Sequence, residues 1–218
     1  SIKPGSISQG SGTTPTLLDD NLIAITDNTD GKINVVVYHR EKIYGGIREV
    51  CAIPVFQNNI SNTENSLIGY KHSLIVENNF GYISPFSPTW TASGVTRVDV
   101  RGDFSGCDIV WQSNEASQTT VPKLSIGNGL IYLYTREAVK GQVSFNWNTT
   151  IGISGDNYTY DSGTQVASET TAQAWYLTAI DYTTGATRYK IFTGTGNSFN
   201  NNWAPITISP NGNLYVGV

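Results

Sequence analysis

The sequence predicts an all-β fold built from repeated antiparallel four-stranded units. Two observations carry that expectation. One is a hairpin phrase that occurs four times. Its clearest copy spans residues 123–134: a short strand, a Gly127-Asn128-Gly129 turn, and a second strand of alternating Leu, Tyr and Ile. Asn-Gly between two apolar runs marks a hairpin, because these residues tolerate the positive φ of a tight turn. The phrase returns as TPTLLDDNLIAIT at 14–26, ENSLIGYKHSLIVEN at 64–78 and APITISPNGNLYVGV at 204–218. The other observation is composition. Among 218 residues there are 22 Gly and 12 Tyr, and charged residues are only 14%, a turn-rich and strand-rich profile rather than a disordered one.

Residues 1–13 are Gly/Ser-rich without periodicity and read as a loop or linker. The first unit follows. It has strands at 14–18 and 22–26 around a turn at 19–21, a polar loop at 27–32, a strand at 33–39 carrying Val35-Val36-Val37, and a fourth at 48–56. Four strands in about 45 residues is the size of one propeller blade. After the Asn-rich link 57–63, the second unit has strands at 66–69, 73–77, 96–100 and 107–112. A long loop at 78–94, with Phe80, Tyr82, Phe86 and Trp90, separates its middle strands. The third unit has strands at 121–125, 130–135, 175–181 and 186–193, with a longer connection at 136–174. That connection exceeds the ordinary length of structureless loops, so it should hold extra strands or a functional flap. The last unit supplies two strands, 205–209 and 214–218.

The expectation is therefore a β-propeller portion over 14–218, with about three and a half blades at 14–56, 64–113, 121–193 and 204–218. Such a ring is open, since propellers close with roughly 4–8 blades, and closure is what removes exposed edges. Upstream blades or a second polypeptide would complete it. The competing arrangement is a compact β-sandwich of the same strands.

A net charge of −4 and the absence of a basic stripe argue against nucleic acid as a partner. No apolar run approaches the roughly 20 residues of a membrane span. The chain begins at Ser1 and contains no Met, which reads as a processed or trimmed product; secretion is the expected localisation. In an oxidising compartment Cys51 and Cys107 would form one disulfide; two buried thiols are the alternative. Sequons at Asn59, Asn148 and Asn157 are candidate glycosylation sites, although Asn- and Thr-rich chains also produce sequons by chance.

The AIDYTTG turn at 179–185, followed by a strand, a Gly-rich link and PITISPNGNLYVG at 205–217, resembles the repeat of quinoprotein-like (PQQ-like) β-propellers. The likeness is clearest over 175–218. The string SGTTPTLLDDNLIAITDNTDGKINVVVYHR at 11–40 also resembles poorly characterised secreted microbial propeller proteins. The resemblance implies the fold. It leaves the chemistry open, because such propellers serve as dehydrogenases, scaffold subunits and binders. Quinone enzymes of that class use a vicinal disulfide or an ammonium group, and calcium-binding carboxylates around a stacking Trp. This chain has no adjacent Cys pair, and Trp111, Trp147, Trp175 and Trp203 fall in no matching motif, so its residues speak against PQQ.

In a blade whose innermost strand comes first, the short turns at 19–21, 126–129, 181–185 and 210–213 share a plain end. The opposite end receives Asp27, Asn28, Asp30, Glu64, Asn65, Glu77, Asn78, Asn79, Arg136, Glu137, residues 200–203 and both long loops. Long aromatic-bearing loops on a rigid scaffold are where function usually resides. Glu64, Glu77, Lys123 and Arg136 are the candidate catalytic set, two carboxylates and two cations near a central funnel that could form acid/base pairs. The same four could equally be an ion-pair network at strand ends. Asp27, Asn28, Asn65, Asn78, Asn79, Asn202 and Trp203 are the candidate ligand-binding residues: their polar groups would bond sugar hydroxyls, and aromatic rings would stack on sugar rings. An Asx-rich turn is the expectation for Asp27, Asn28 and Asp30, with a calcium site as the alternative, because DNTDG lacks the full ladder of a calcium loop. His39 and His72 are the only histidines, so Cys/His zinc sites are nearly excluded. The leading expectation is a secreted binder of a polar ligand, a carbohydrate or another polymer. Its rivals are an enzyme (lyase, hydrolase or oxidoreductase) and a structural subunit.

Overall fold

A computed structural model describes residues 14–42, 46–81, 91–117, 121–139, 172–201 and 204–217. The described chain is all-β apart from a short 3-10 helix, η1 (Asn197–Phe199). The first sheet pairs β1 (Thr16–Leu17), β2 (Leu22–Thr26), β3 (Ile33–His39) and β4 (Glu49–Val55) in sequence order. The second repeats this with β5 (Ile68–Tyr70), β6 (Ser73–Glu77), β7 (Val95–Val100) and β8 (Cys107–Ser113). The third does so with β9 (Lys123–Ser125), β10 (Leu130–Val139), β11 (Ala172–Asp181) and β12 (Thr187–Thr195). A two-stranded sheet follows, β13 (Thr207–Ile208) with β14 (Leu214–Tyr215). All pairings within the four sheets are antiparallel.

The period of two along a strand explains how the sheets stack. On β6, Leu74 and Val76 point one way and Ile75 the other, and the whole strand is buried. Leu74 and Val76 meet Leu22, Ala24, Val35 and Val37 of the first sheet in one core. Ile75 meets Ile131, Leu133 and Ile180 of the third sheet in a second. On β10 the pattern repeats: Tyr132 and Tyr134 turn away from that core and pack with Trp175 against Ile206, Ile208 and Leu214. Each middle sheet is thus covered on both faces, and the sheets follow one another face to face in chain order.

Two side-chain links reinforce this stack. Cys51 on β4 and Cys107 on β8 form a disulfide between the outermost strands of the first two sheets, with Cα atoms 5.9 Å apart. Arg97 on β7 grips Asp99 through two nitrogens (2.6 and 2.8 Å) and lies 4.0 Å over the ring of Tyr182, in the turn between β11 and β12.

Strand ends differ from the sequence expectation mainly in the third sheet. There β10 and β11 run on through residues assigned to the long connection, with Arg136 opposite Trp175 and Val139 opposite Ala172. Stacking of Trp175 on Tyr134 at 5.5 Å holds this extension, an interaction between residues 41 positions apart that no local pattern displays. The Gly127–Gly129 turn forms as expected, with Gly129 at φ +69. Asn148 and Asn157 lie outside the described residues; Asn59 is exposed in the link after β4. No helix among the described residues is long and apolar enough to cross a membrane.

Candidate functional site

The antiparallel order sends the loops between second and third strands, and the links between sheets, to one end. Six of the asparagine and glutamate candidates meet there. Asn28 Nδ2 donates to Thr63 O (2.8 Å), and Thr63 N donates back to Asn28 Oδ1 (3.0 Å). Asn79 Oδ1 accepts from Thr63 Oγ1 and Glu64 N (both 3.1 Å), while its Nδ2 donates to Ser117 O (3.1 Å). Asn78 Nδ2 donates to Ile60 O (2.9 Å) and Ser93 O (3.3 Å). Glu64 Oε1 accepts from Asn62 Nδ2 at 3.2 Å. Asn28, Asn65, Asn78 and Asn79 are all buried. The amides of Asn28, Asn78 and Asn79 satisfy loop backbone that would otherwise be buried without partners, so they tie the links of three sheets together.

Glu77 ends β6 inside this belt and is only 2% exposed. Its Oε2 accepts from Asn65 Nδ2 (2.8 Å), while Oε1 has no hydrogen-bond partner among the described residues. Burial pushes its pKa up to about 8, against the opposing influence of Ser117 and Asn65. Desolvation, rather than a neighbouring charge, is what favours the proton.

Lys123 begins β9 opposite Tyr132 and is half-buried. Arg136 is buried on β10, donating to Thr91 Oγ1 at 3.3 Å, with its guanidinium 6.0 Å from the Trp175 ring. Asp27 spends its oxygens on its own loop: Oδ1 accepts from Thr29 N (3.1 Å) and Asn34 N (2.8 Å), and Oδ2 from Asn34 Nδ2 (2.7 Å). That is the Asx-type turn expected there. No group of three or more His, Cys, Asp or Glu among the described residues is arranged to hold a metal ion. Asn202 and Trp203 lie outside the described residues.

At the same end a cleft of about 280 Å³ opens between the first two sheets. It is lined by Phe56 and Gln57 just after β4, Ser93 and Gly94 before β7, Thr96 on β7, Gln112 and Ser113 at the end of β8, and Asn114. Its size is near the lower bound of small-ligand sites, roughly 300–1,000 Å³. The lining offers three side-chain amides, the Ser93 and Ser113 hydroxyls and one aromatic ring, and no charged group; the Thr96 hydroxyl is buried beneath it. Sequence reasoning did not single out these residues. Their one local signal is polarity immediately beyond β4 and β8; their convergence comes from the packing of two sheets.

Comparison of the chain with protein-family models and with curated proteins returned no match.

Proposed function

We propose that this chain is part of a secreted β-propeller whose loop-bearing end binds a polar, uncharged ligand of the carbohydrate class. The cleft carries this reading. Amides and hydroxyls both donate and accept, as sugar hydroxyls do, and an aromatic ring complements the C–H face of a sugar. The stacked four-stranded sheets support the propeller assignment, each serving as a blade. The disulfide supports an oxidising, extracellular setting, where exposed Asn59 is a candidate for glycosylation. A glycan array followed by calorimetry tests the reading. Saturable binding of a neutral saccharide is the expected result; absence of binding across neutral glycans would sink it.

A second reading, a structural subunit completed by a partner polypeptide, rests on one observation. Tyr189, Ile191 and Phe192 of β12 are exposed large apolar side chains in a single strand. Native mass spectrometry of the natural material tests it: a heavier species that yields this chain and another polypeptide on denaturation would favour the subunit. A lone 23.7 kDa species would count against it.

A further inference from the structure

Phe56 follows the last residue of β4, and its backbone is left-handed, with φ +66. That conformation is unfavourable for a bulky L-residue and persists only where the surroundings impose it, often at ligand-holding sites. Gly94 helps impose it. A Cβ on Gly94, itself at φ +146, would stand 2.7 Å from Phe56 Cδ1 and 2.9 Å from Cε1. The bare backbone of Gly94 is therefore the seat of the ring. Phe56 is half-buried, packs on the first core, and lines the cleft together with Gln57, Gln112 and Asn114.

We infer that the Phe56 ring is the stacking platform of the cleft, and that the cleft selects an uncharged saccharide over an acidic one. The inference rests on the carbohydrate reading above and adds the residue that recognises the sugar ring. A pyranose presents C–H groups on a face and hydroxyls around its edge. The face lies on the aromatic ring, and the edge meets the amides of Gln57, Gln112 and Asn114. With no cation in the lining, a carboxylate-bearing sugar would lose its hydration and find no opposite charge.

The test uses the whole chain, NMR titration and defined probes: neutral cello-, xylo- and manno-oligosaccharides, and an oligouronate. The expected result is that a neutral probe shifts the Phe56 ring signals and the oligouronate does not. Phe56→Leu, which keeps apolar volume but removes the ring, should bind that probe about tenfold more weakly. Phe56→Tyr should retain binding, and melting temperature should distinguish lost binding from lost folding. Undiminished binding by a folded Phe56→Leu, or ring signals that stay fixed while a neutral probe binds, would overturn the platform and leave the carbohydrate reading standing. Equal binding of the oligouronate would overturn the selectivity. No binding of any neutral probe to the unaltered chain would overturn both inference and reading. If Phe56→Leu fails to fold, the ring signals of the unaltered chain decide.

Discussion

Asn65 Nδ2 donates to Glu77 Oε2 at 2.8 Å, while Oε1 of the same carboxyl has no partner among the described residues. The carboxyl lies where water does not reach it. A charge in that position would lack most of the solvation it has in water, so the neutral form is favoured.

Glu77 should therefore make stability depend on pH. Its pKa is about 8 in the folded chain, against an ordinary value of 4.5. Below the ordinary value both folded and unfolded chains hold the proton. Between the two values the unfolded chain releases it and the folded chain retains it. Stability then falls as pH rises, by up to about 1.4 kcal/mol per pH unit. Near neutrality the accumulated loss is about 3 kcal/mol. Glu77→Gln removes the ionisation, so it should resist urea better than the parent at about pH 8 and lose that advantage at about pH 4. Parallel pH profiles for the two proteins would show that Glu77 does not retain the proton.

The Cys51–Cys107 disulfide joins residues 56 positions apart on the edges of two packed sheets. Closing a loop of that length restricts the unfolded chain by about 4 kcal/mol. Cys51→Ala/Cys107→Ala should lower stability by that order in urea denaturation under non-reducing conditions. Stability within 1 kcal/mol or so of the parent would contradict this entropic account.

Gly129 sits at φ +69, and a Cβ there would meet nothing within 4 Å. Substitution thus tests backbone conformation without a steric clash. Gly129→Val should cost about 1–3 kcal/mol, and Gly129→Asn clearly less, because Asn tolerates the left-handed region. Equal melting temperatures for the two variants would mean that the turn relaxes to accommodate either side chain.

In the cleft, Gln112→Ala and Asn114→Ala each remove one hydrogen-bonding amide at the surface. Each should weaken saccharide binding by about 1 kcal/mol, roughly fivefold, with little change in melting temperature. Calorimetry on both variants checks this, and unchanged affinity in both would move the ligand elsewhere.

The hairpins were legible in the sequence because their signals are local. Ser73–Glu77 and Ile33–His39 show as dense apolar or β-branched runs, and turn residues punctuate them at the right spacing. The gathering of Glu64, Asn65, Glu77, Asn78 and Asn79 at one end also followed from antiparallel order. What they do there was not legible. Asparagines that bridge separate links look, in sequence, the same as asparagines facing a ligand, and only burial and partners separate the two. The charged quartet reads as one site because its members occupy equivalent strand ends; the burial of Glu77 and the Arg136–Thr91 hydrogen bond have no local signal. The cleft was invisible for a different reason. Phe56, Ser93 and Gln112 are far apart in the chain and belong to no recurring spacing; sheet packing alone assembles them.

Hydrogen–deuterium exchange, with and without a neutral oligosaccharide chosen by glycan array, tests the carbohydrate-binding cleft most directly. The expected result is slowed exchange confined to the cleft-lining segments around residues 56–57, 93–96 and 112–114. Slowing confined to the opposite end, at the turns around residues 19–21 and 181–185, or no slowing with bound saccharide present, would contradict it.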